Sequence, residues 1–447
     1  MTAMDTLAQL FAAGHIIQPG APLATPGQRL VESRALAILG RPELDAARDR
    51  IAALFGADRN AKLADQHALI AQSVAEHVVH GALIAASETP RTPRFVWTIA
   101  LAREWLGQLL PGSRIGQDNP DNVYRFASVD PAFGYRISGC FPGPEPRDFS
   151  ICALPAQVGE GIAADVRGII TRDSLDVDAE GRFEIDVDAS ASDGRRNHLC
   201  IAGARVLMVR DTLADWGVEL PSYLRIDPID AAGDPVVAED DFDPAAVAAR
   251  AGELATGIAE FFLDRVQHGM CEVAPLNTVP PPVSSAGRGG LVTQSATLGY
   301  YRLGDGEAWV LDIDPMGARY LGVQICDMWM LSYDYSLRTS CFNHRQALAD
   351  ADGRYRLVVS AADPGVHNWL DGGGHPVGTI LLRWQGIPAG ADFAGAVTTR
   401  VVRLADLPRA LPPETRFLDA AGRAAQRAER LAAYRRRLTG DNPQQNP

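Results

Sequence analysis

The spacing of apolar residues changes period once along the chain, near residue 115. Before that point it follows a helix. In RPELDAARDRIAALFG, Leu44, Ala47, Ile51 and Leu54 fall three or four residues apart and form one stripe. Leu63, Ile70, Val74, Val78 and Ile84 continue the pattern. A third run, Phe95 to Leu110 with Trp97, Ala100, Trp105 and Leu109, predicts another helix, stopped by Pro111 and Gly112. Residues 1–114 are therefore expected to form a helical subdomain.

Beyond 115 the period is two. GYRISGCF (134–141), DFSICALP (148–155), RFEIDVDA (182–189) and ARVLMVRD (204–211) are short alternating or β-branched runs separated by turn residues. This pattern predicts an antiparallel sandwich rather than βαβ units. Asp243 followed by Pro244 opens a long helix, as an N-cap with proline in the first turn. The stretch 272–290 is rich in proline, serine and glycine and marks the main domain boundary. Strands return at SATLGYYRL, EAWVLDIDP, YLGVQICDMW, YRLVVSAA and GTILLRWQG. The chain closes on an arginine-rich helix whose basic side is expected to be solvated, opposite an alanine and leucine stripe.

The predicted fold is α+β, mainly β. A helical subdomain (1–114) is followed by a jelly-roll-like sandwich (115–240), a helix with linker (241–290), a second sandwich (291–410) and a C-terminal helix with tail (411–447). The sandwiches resemble each other. Asp178-Ala179-Glu180-Gly181-Arg182-Phe183 matches Asp350-Ala351-Asp352-Gly353-Arg354-Tyr355, Asn197-His198-Leu199 matches Asn368-Trp369-Leu370, and Val209-Arg210 matches Leu382-Arg383. Three features in one order at nearly constant spacing point to duplication. The DAxGR segment is expected to be a turn, with glycine at positive φ. A calcium site there has too few oxygen ligands to be favoured.

Composition narrows the function. The formal charge is −13 and no large basic patch offsets it, which argues against nucleic acid. Lys62 is the single lysine and has no glycine-rich loop before it, so Schiff-base, pyridoxal-phosphate and P-loop chemistry are disfavoured. Six cysteines without a CxxC pair are expected to be reduced, small hydrophobic residues. The N-terminus lacks a secretory pattern, and no charge-free run approaches the ~20 residues that span a bilayer. A cytoplasmic location is expected, with neither membrane nor nucleic acid as partner.

The densest polar and aromatic cluster lies in the second sandwich: Trp329, Tyr333, Asp334, Tyr335, Arg338, Asn343 and His344, then His367, Asn368, Trp369, Asp371 and His375. Loops between rigid strands are where sites form. Tyr335 and His344 are the candidate proton-transfer groups and Arg338 the anion anchor, these three being the catalytic candidates. Trp329 and Trp369 would be pocket walls, with Tyr333, Asp334, Asn343, His367 and Asn368 as further binding candidates. His344, His367 and His375 could hold a metal if they converged, but no HxH pair supports this, and no metal or other cofactor is expected. His77 and His80 share a helix face and are read as packed residues. The stretch 118–125, DNPDNVYR, joins helices to the first strand; Tyr124 and Arg125 become binding candidates if it faces the second cluster. For each of these residues a packing or turn role is the competing reading.

NPDNVYRFASVD, YRISG and DVDAEGRFEI, with the block from Met328 to Trp384 and the later PPETR, resemble a group of bacterial proteins, the domain-of-unknown-function family numbered twelve-fourteen. The DPGVxNWLDxxGHxxGxxxxRW string is the most specific part. The resemblance covers residues 115–435 and implies a β-sandwich protein of bacterial origin, without a substrate. Its relatives suggest catabolism by association. The resulting expectation is a cofactor-independent hydrolase or lyase acting on a hydrophobic, ring-containing metabolite. The alternative is a sandwich that binds a carbohydrate or lipid-like ligand without turnover, and an oligomer built from sandwich edges is a third reading.

Overall fold

The structure, a computed structural model, describes residues 3–160, 165–285 and 293–440. The end of the predicted boundary at 286–290 and the tail at 441–447 lie outside the described residues.

The helices are α1 (Ala3–Ala12), α2 (Pro26–Ile38), α3 (Asp45–Ala57), α4 (Ala64–His67), α5 (Ile70–Ser87), α6 (Pro244–Glu260), α7 (Gly269–Val273), α8 (Leu407–Ala410) and α9 (Ala420–Thr439). The expected stripe of α3 is buried at Leu44, Ala47 and Ile51, with Phe55 completing it. Asp243 caps α6, its carboxylate accepting from the Ala245 amide at 2.9 Å. This helix is no linker. It lies along α5 so closely that a Cβ on Gly81 would sit 2.4 Å from the Ala251 carbonyl. Glycine is what permits that approach, and α6 thereby completes a helical layer begun over 150 residues earlier. Among the described residues one stretch, Ala64–Ser87, is long and apolar enough to cross a membrane, and 67% of its apolar window is buried inside the protein.

The expected helix at 95–110 is absent. Three short strands stand there: β1 (Val96–Trp97), β2 (Arg103–Trp105) and β3 (Gln108–Leu110). Leu106 and Gly107 both have positive φ, at 52° and 75°, and make the β2–β3 hairpin turn. Arg103 lies over the rings of Trp97 and Trp105 and pairs with buried Glu32 at 2.7 Å. Apolar spacing of three and four thus arose from aromatic residues packing on a buried ion pair.

The first sandwich contains β4 (Asn122–Ser128), β5 (Gly134–Cys140), β6 (Asp148–Leu154), β7 (Gly168–Thr171), β8 (Arg182–Asp188), β9 (His198–Cys200), β10 (Val206–Thr212) and β11 (Tyr223–Ile229). The second contains β12 (Val283–Ser284), β13 (Gln294–Arg302), β14 (Glu307–Ile313), β15 (Tyr320–Cys326), β16 (Cys341–Asn343), β17 (Tyr355–Val359), β18 (Trp369–Leu370), β19 (Val377–Gln385) and β20 (Val397–Arg403). Sheet orders are β1-β4-β10-β6-β7 with β11-β5-β8-β9, and β12-β13-β19-β15-β16 with β20-β14-β17-β18. The two sandwiches are equivalent strand for strand. Registers agree as well: Arg210 stands opposite Tyr124 and Ser150, and Arg383 opposite Ala296 and Gly322. Both DAxGR turns have glycine at positive φ, Gly181 at 80° and Gly353 at 78°.

Candidate functional site

The residues 114–122 do face the second sandwich, but they fill the space between the modules. Arg114 forms a buried ion pair with Glu76 of α5 and donates to the Ser332 carbonyl. The Gln117 amide donates to Met330 and its side chain to Thr379 Oγ1 at 2.8 Å. Gln324 and Arg383, on the outward face of β15 and β19, donate to the Asp118 and Gln117 carbonyls. Asp121 accepts from Trp216 Nε1 at 2.7 Å, Tyr320 Oη at 2.7 Å and Asn343 Nδ2 at 2.9 Å. Every one of these side chains is buried. The junction is a hydrogen-bonded solid rather than a cavity.

That placement decides what the candidate residues can do. Tyr335 is 3% exposed and packs edge-on against Tyr434, with Trp216 beside it. Burial holds its phenol far above the ordinary value, so it stays protonated near neutrality and is no base. Arg338 lies against Asp371, which Arg427 also engages at 2.9 Å. It shares that one carboxylate with Arg427 and is partly exposed. His344 sits half-buried against Tyr320, and desolvation followed by nearby Arg147 lowers its pKa. The three expected catalytic groups therefore occupy three separate environments.

The expected walls are packing residues too. Trp329 stacks on Phe55, centroids 5.1 Å apart, and donates to the Gln66 carbonyl at 2.8 Å, locking sandwich to helical layer. Trp369 donates to the Ser360 carbonyl and lies under Arg423 and Arg427 of α9. Tyr333 stacks on His375, and Asp334 caps the turn at 336–337. Asn368 bridges the Leu348 backbone, accepting from its amide at 2.9 Å and donating to its carbonyl at 2.8 Å. Asn197 does the same to Asp176. In the first sandwich, Tyr124 Oη accepts from the Asn119 amide, while Arg125 forms a buried pair with Asp211 and bonds Ser222. The three histidines 344, 367 and 375 do not meet. Among the described residues no group of three or more His, Cys, Asp or Glu side chains is arranged for a metal ion. His77 and His80 are core residues bonded to the Ser73 and Thr98 carbonyls, and burial pushes His80 down to about 4.

The final helix departs most from expectation. Its inward stripe is arginine: Arg423, Arg430 and Arg437 recur every seven residues, are buried, and sit among aromatic rings. Arg430 and Arg437 lie 4.5 and 4.3 Å from the Trp216 ring centroid. Guanidinium groups are weakly hydrated and planar, so they tolerate such stacking. The heptad spacing of these arginines was the available signal.

Beside this stripe opens a cleft of about 610 Å³, within the range that holds small molecules. Its wall combines the 214–218 loop of the first sandwich, Thr339, Phe342, Arg345, Gln346 and His367 of the second, and Gln426, Glu429, Arg430 and Ala432 of α9. Of the sequence candidates, only His367 lines it. Desolvation is the main reason its pKa falls below the ordinary histidine value. A larger, more open cleft of about 900 Å³ separates α1 from the outer sheet of the first sandwich, at Cys140, Arg182, Glu184 and Tyr223.

No family model matches this chain, and no curated protein does. Several solved structures match, among them the following two. A putative uncharacterized protein from Burkholderia cenocepacia aligns with 24% identity and a TM-score of 0.65, over 85% of this chain and 99% of that one. A Vibrio parahaemolyticus protein aligns with 14% identity and a TM-score of 0.39, over 64% of this chain and 90% of that one. The first likeness shows a shared fold and nothing finer.

Proposed function

We propose that this protein binds a small organic molecule in the cleft beneath α9, as a cytoplasmic, non-catalytic module built from two copies of one duplicated sandwich. The repeated strand order, the paired asparagine bridges and the family resemblance support the second half of that reading. The first half is carried by one observation: both sandwiches and the arginine face of α9 contribute to a single cleft of ligand size. Turnover by a hydrolase or lyase in the same place would draw on His367, Asp215 and Glu429, the acid–base groups of the wall.

The test is a fragment screen by saturation-transfer NMR on the wild type and on Ala432→Trp, an exposed helix position on the cleft wall. Fragments that bind the wild type are expected to lose their signal in the variant. Hits that all persist undiminished in Ala432→Trp would overturn the assignment.

A further inference from the structure

Resting on that reading, we propose that the cleft selects an organic carboxylate, its apolar body along the upper wall and its charge on the floor. The floor is formed by Arg430 and Thr339, both buried. Arg430 spends its donors on neutral acceptors: the Tyr335 carbonyl at 2.5 Å, Cys341 Sγ at 2.6 Å and, at 3.5 Å, Gln346 Oε1. The Trp216 ring face, 4.5 Å away, meets part of its charge, but a guanidinium taken out of water and given no carboxylate retains electrostatic demand. Thr339 is 0% exposed, and its hydroxyl has no hydrogen-bond partner, although it lines the cleft. A buried hydroxyl without a partner marks a place where a ligand atom completes the bonding.

The acidic members of the wall do not cancel this. Glu429 is exposed on the rim, and the Asp215 carboxylate accepts from the Gly217 amide at 3.0 Å. Arg345, also exposed on the wall, adds a second cation at the entrance. The apolar half comes from Val218, Phe342, Ala432 and Ala433. A cationic floor below an apolar wall fits an amphiphilic monoanion better than a sugar, whose many hydroxyls would need amide partners on all sides.

The probes are naphthalene-2-carboxylate, its neutral carboxamide and inorganic phosphate, titrated calorimetrically into the full chain at pH 7.5. The carboxylate is expected to bind about tenfold more tightly than the amide, the scale of one charge-assisted hydrogen bond, and phosphate alone not measurably. Arg430→Gln should reduce that preference below about twofold, as a lost charge-assisted contact implies. Thr339→Val, nearly isosteric, should weaken the carboxylate about threefold with a melting temperature no lower than that of the wild type. If Arg430→Gln fails to fold, Thr339→Val and Arg345→Gln carry the test. Equal binding of acid and amide, both abolished by Ala432→Trp, would overturn the carboxylate assignment and leave the cleft standing. Carboxylate binding that Ala432→Trp leaves intact would remove the cleft itself.

Discussion

The two sandwiches share strand order and register, yet their five-stranded sheets turn different chemistry outward. On the first, Phe126, Cys152, Leu154, Val206 and Met208 meet the helical layer in one apolar core. At the matching positions the second has Gln324, Cys326 and Thr379 in place of Cys152, Leu154 and Val206. That face takes the polar segment 114–122, which bonds Gln324, Thr379 and Arg383. The inner faces differ locally too: where the first buries the Arg125–Asp211 pair, the second has Thr297 and Trp384. One backbone supports both because the strand ladder constrains side-chain direction and not side-chain polarity.

The largest expected effect comes from breaking the pair that the second sandwich lacks. Arg125→Met alone strands a buried carboxylate and should cost about 4 kcal/mol in urea unfolding. Adding Asp211→Leu should recover most of it, since an apolar pair of similar volume is often no worse than a buried ion pair. If the double variant is as unstable as the single, the two interiors are not interchangeable.

Next in size are the asparagine bridges. Asn368→Ala should cost about 2 kcal/mol and Asn197→Ala about 1, because buried Asn368 loses three backbone bonds, one of them to the Arg356 carbonyl, and the more open Asn197 loses two. Melting temperatures of the two variants check the order; a reversal would show that burial does not set the difference.

At one fixed pH the effects rank in that order; the third comparison is a pH slope, accumulated over several pH units, that belongs to the polar junction. Burial pushes the Asp118 and Asp327 carboxyls up, to about 6 and about 7. A group raised in the folded state stabilises fully below its unfolded value near 3.9 and loses that contribution as pH rises through the folded value. Unfolding free energy should therefore fall between pH 4 and 7.5, by up to about 1.4 kcal/mol per pH unit for each group. Asp327→Asn should flatten the curve. An identical slope in that variant would remove Asp327 from the account.

Much of the fold was legible because it rests on local rules. The α3 and α5 stripes, the Asp243 cap and the DAxGR turns follow from side-chain periodicity, capping and positive φ, which need no distant partner. The hairpin at 103–110 was missed because Trp97, Arg103 and Trp105 answer to Glu32, some seventy residues away. The candidate cluster is a different case. Tyr335, Trp329 and Trp369 are the kinds of residue a pocket uses, but they are equally the kinds a buried polar junction uses, and composition does not separate the two.

By itself the sequence determined most of the elements, their caps and turns, and the fact that two stretches of the chain follow one pattern, because these depend on neighbours within a few residues. Only the tertiary structure decided that α6 closes the helical layer, that 114–122 plugs the space between sandwiches, and that the arginines of α9 point inward. Each of those outcomes turns on which surfaces, hundreds of residues apart, exclude water from one another. Burial converts the same arginine or tyrosine from a reactive group into a packing one, and linear order carries no measure of it.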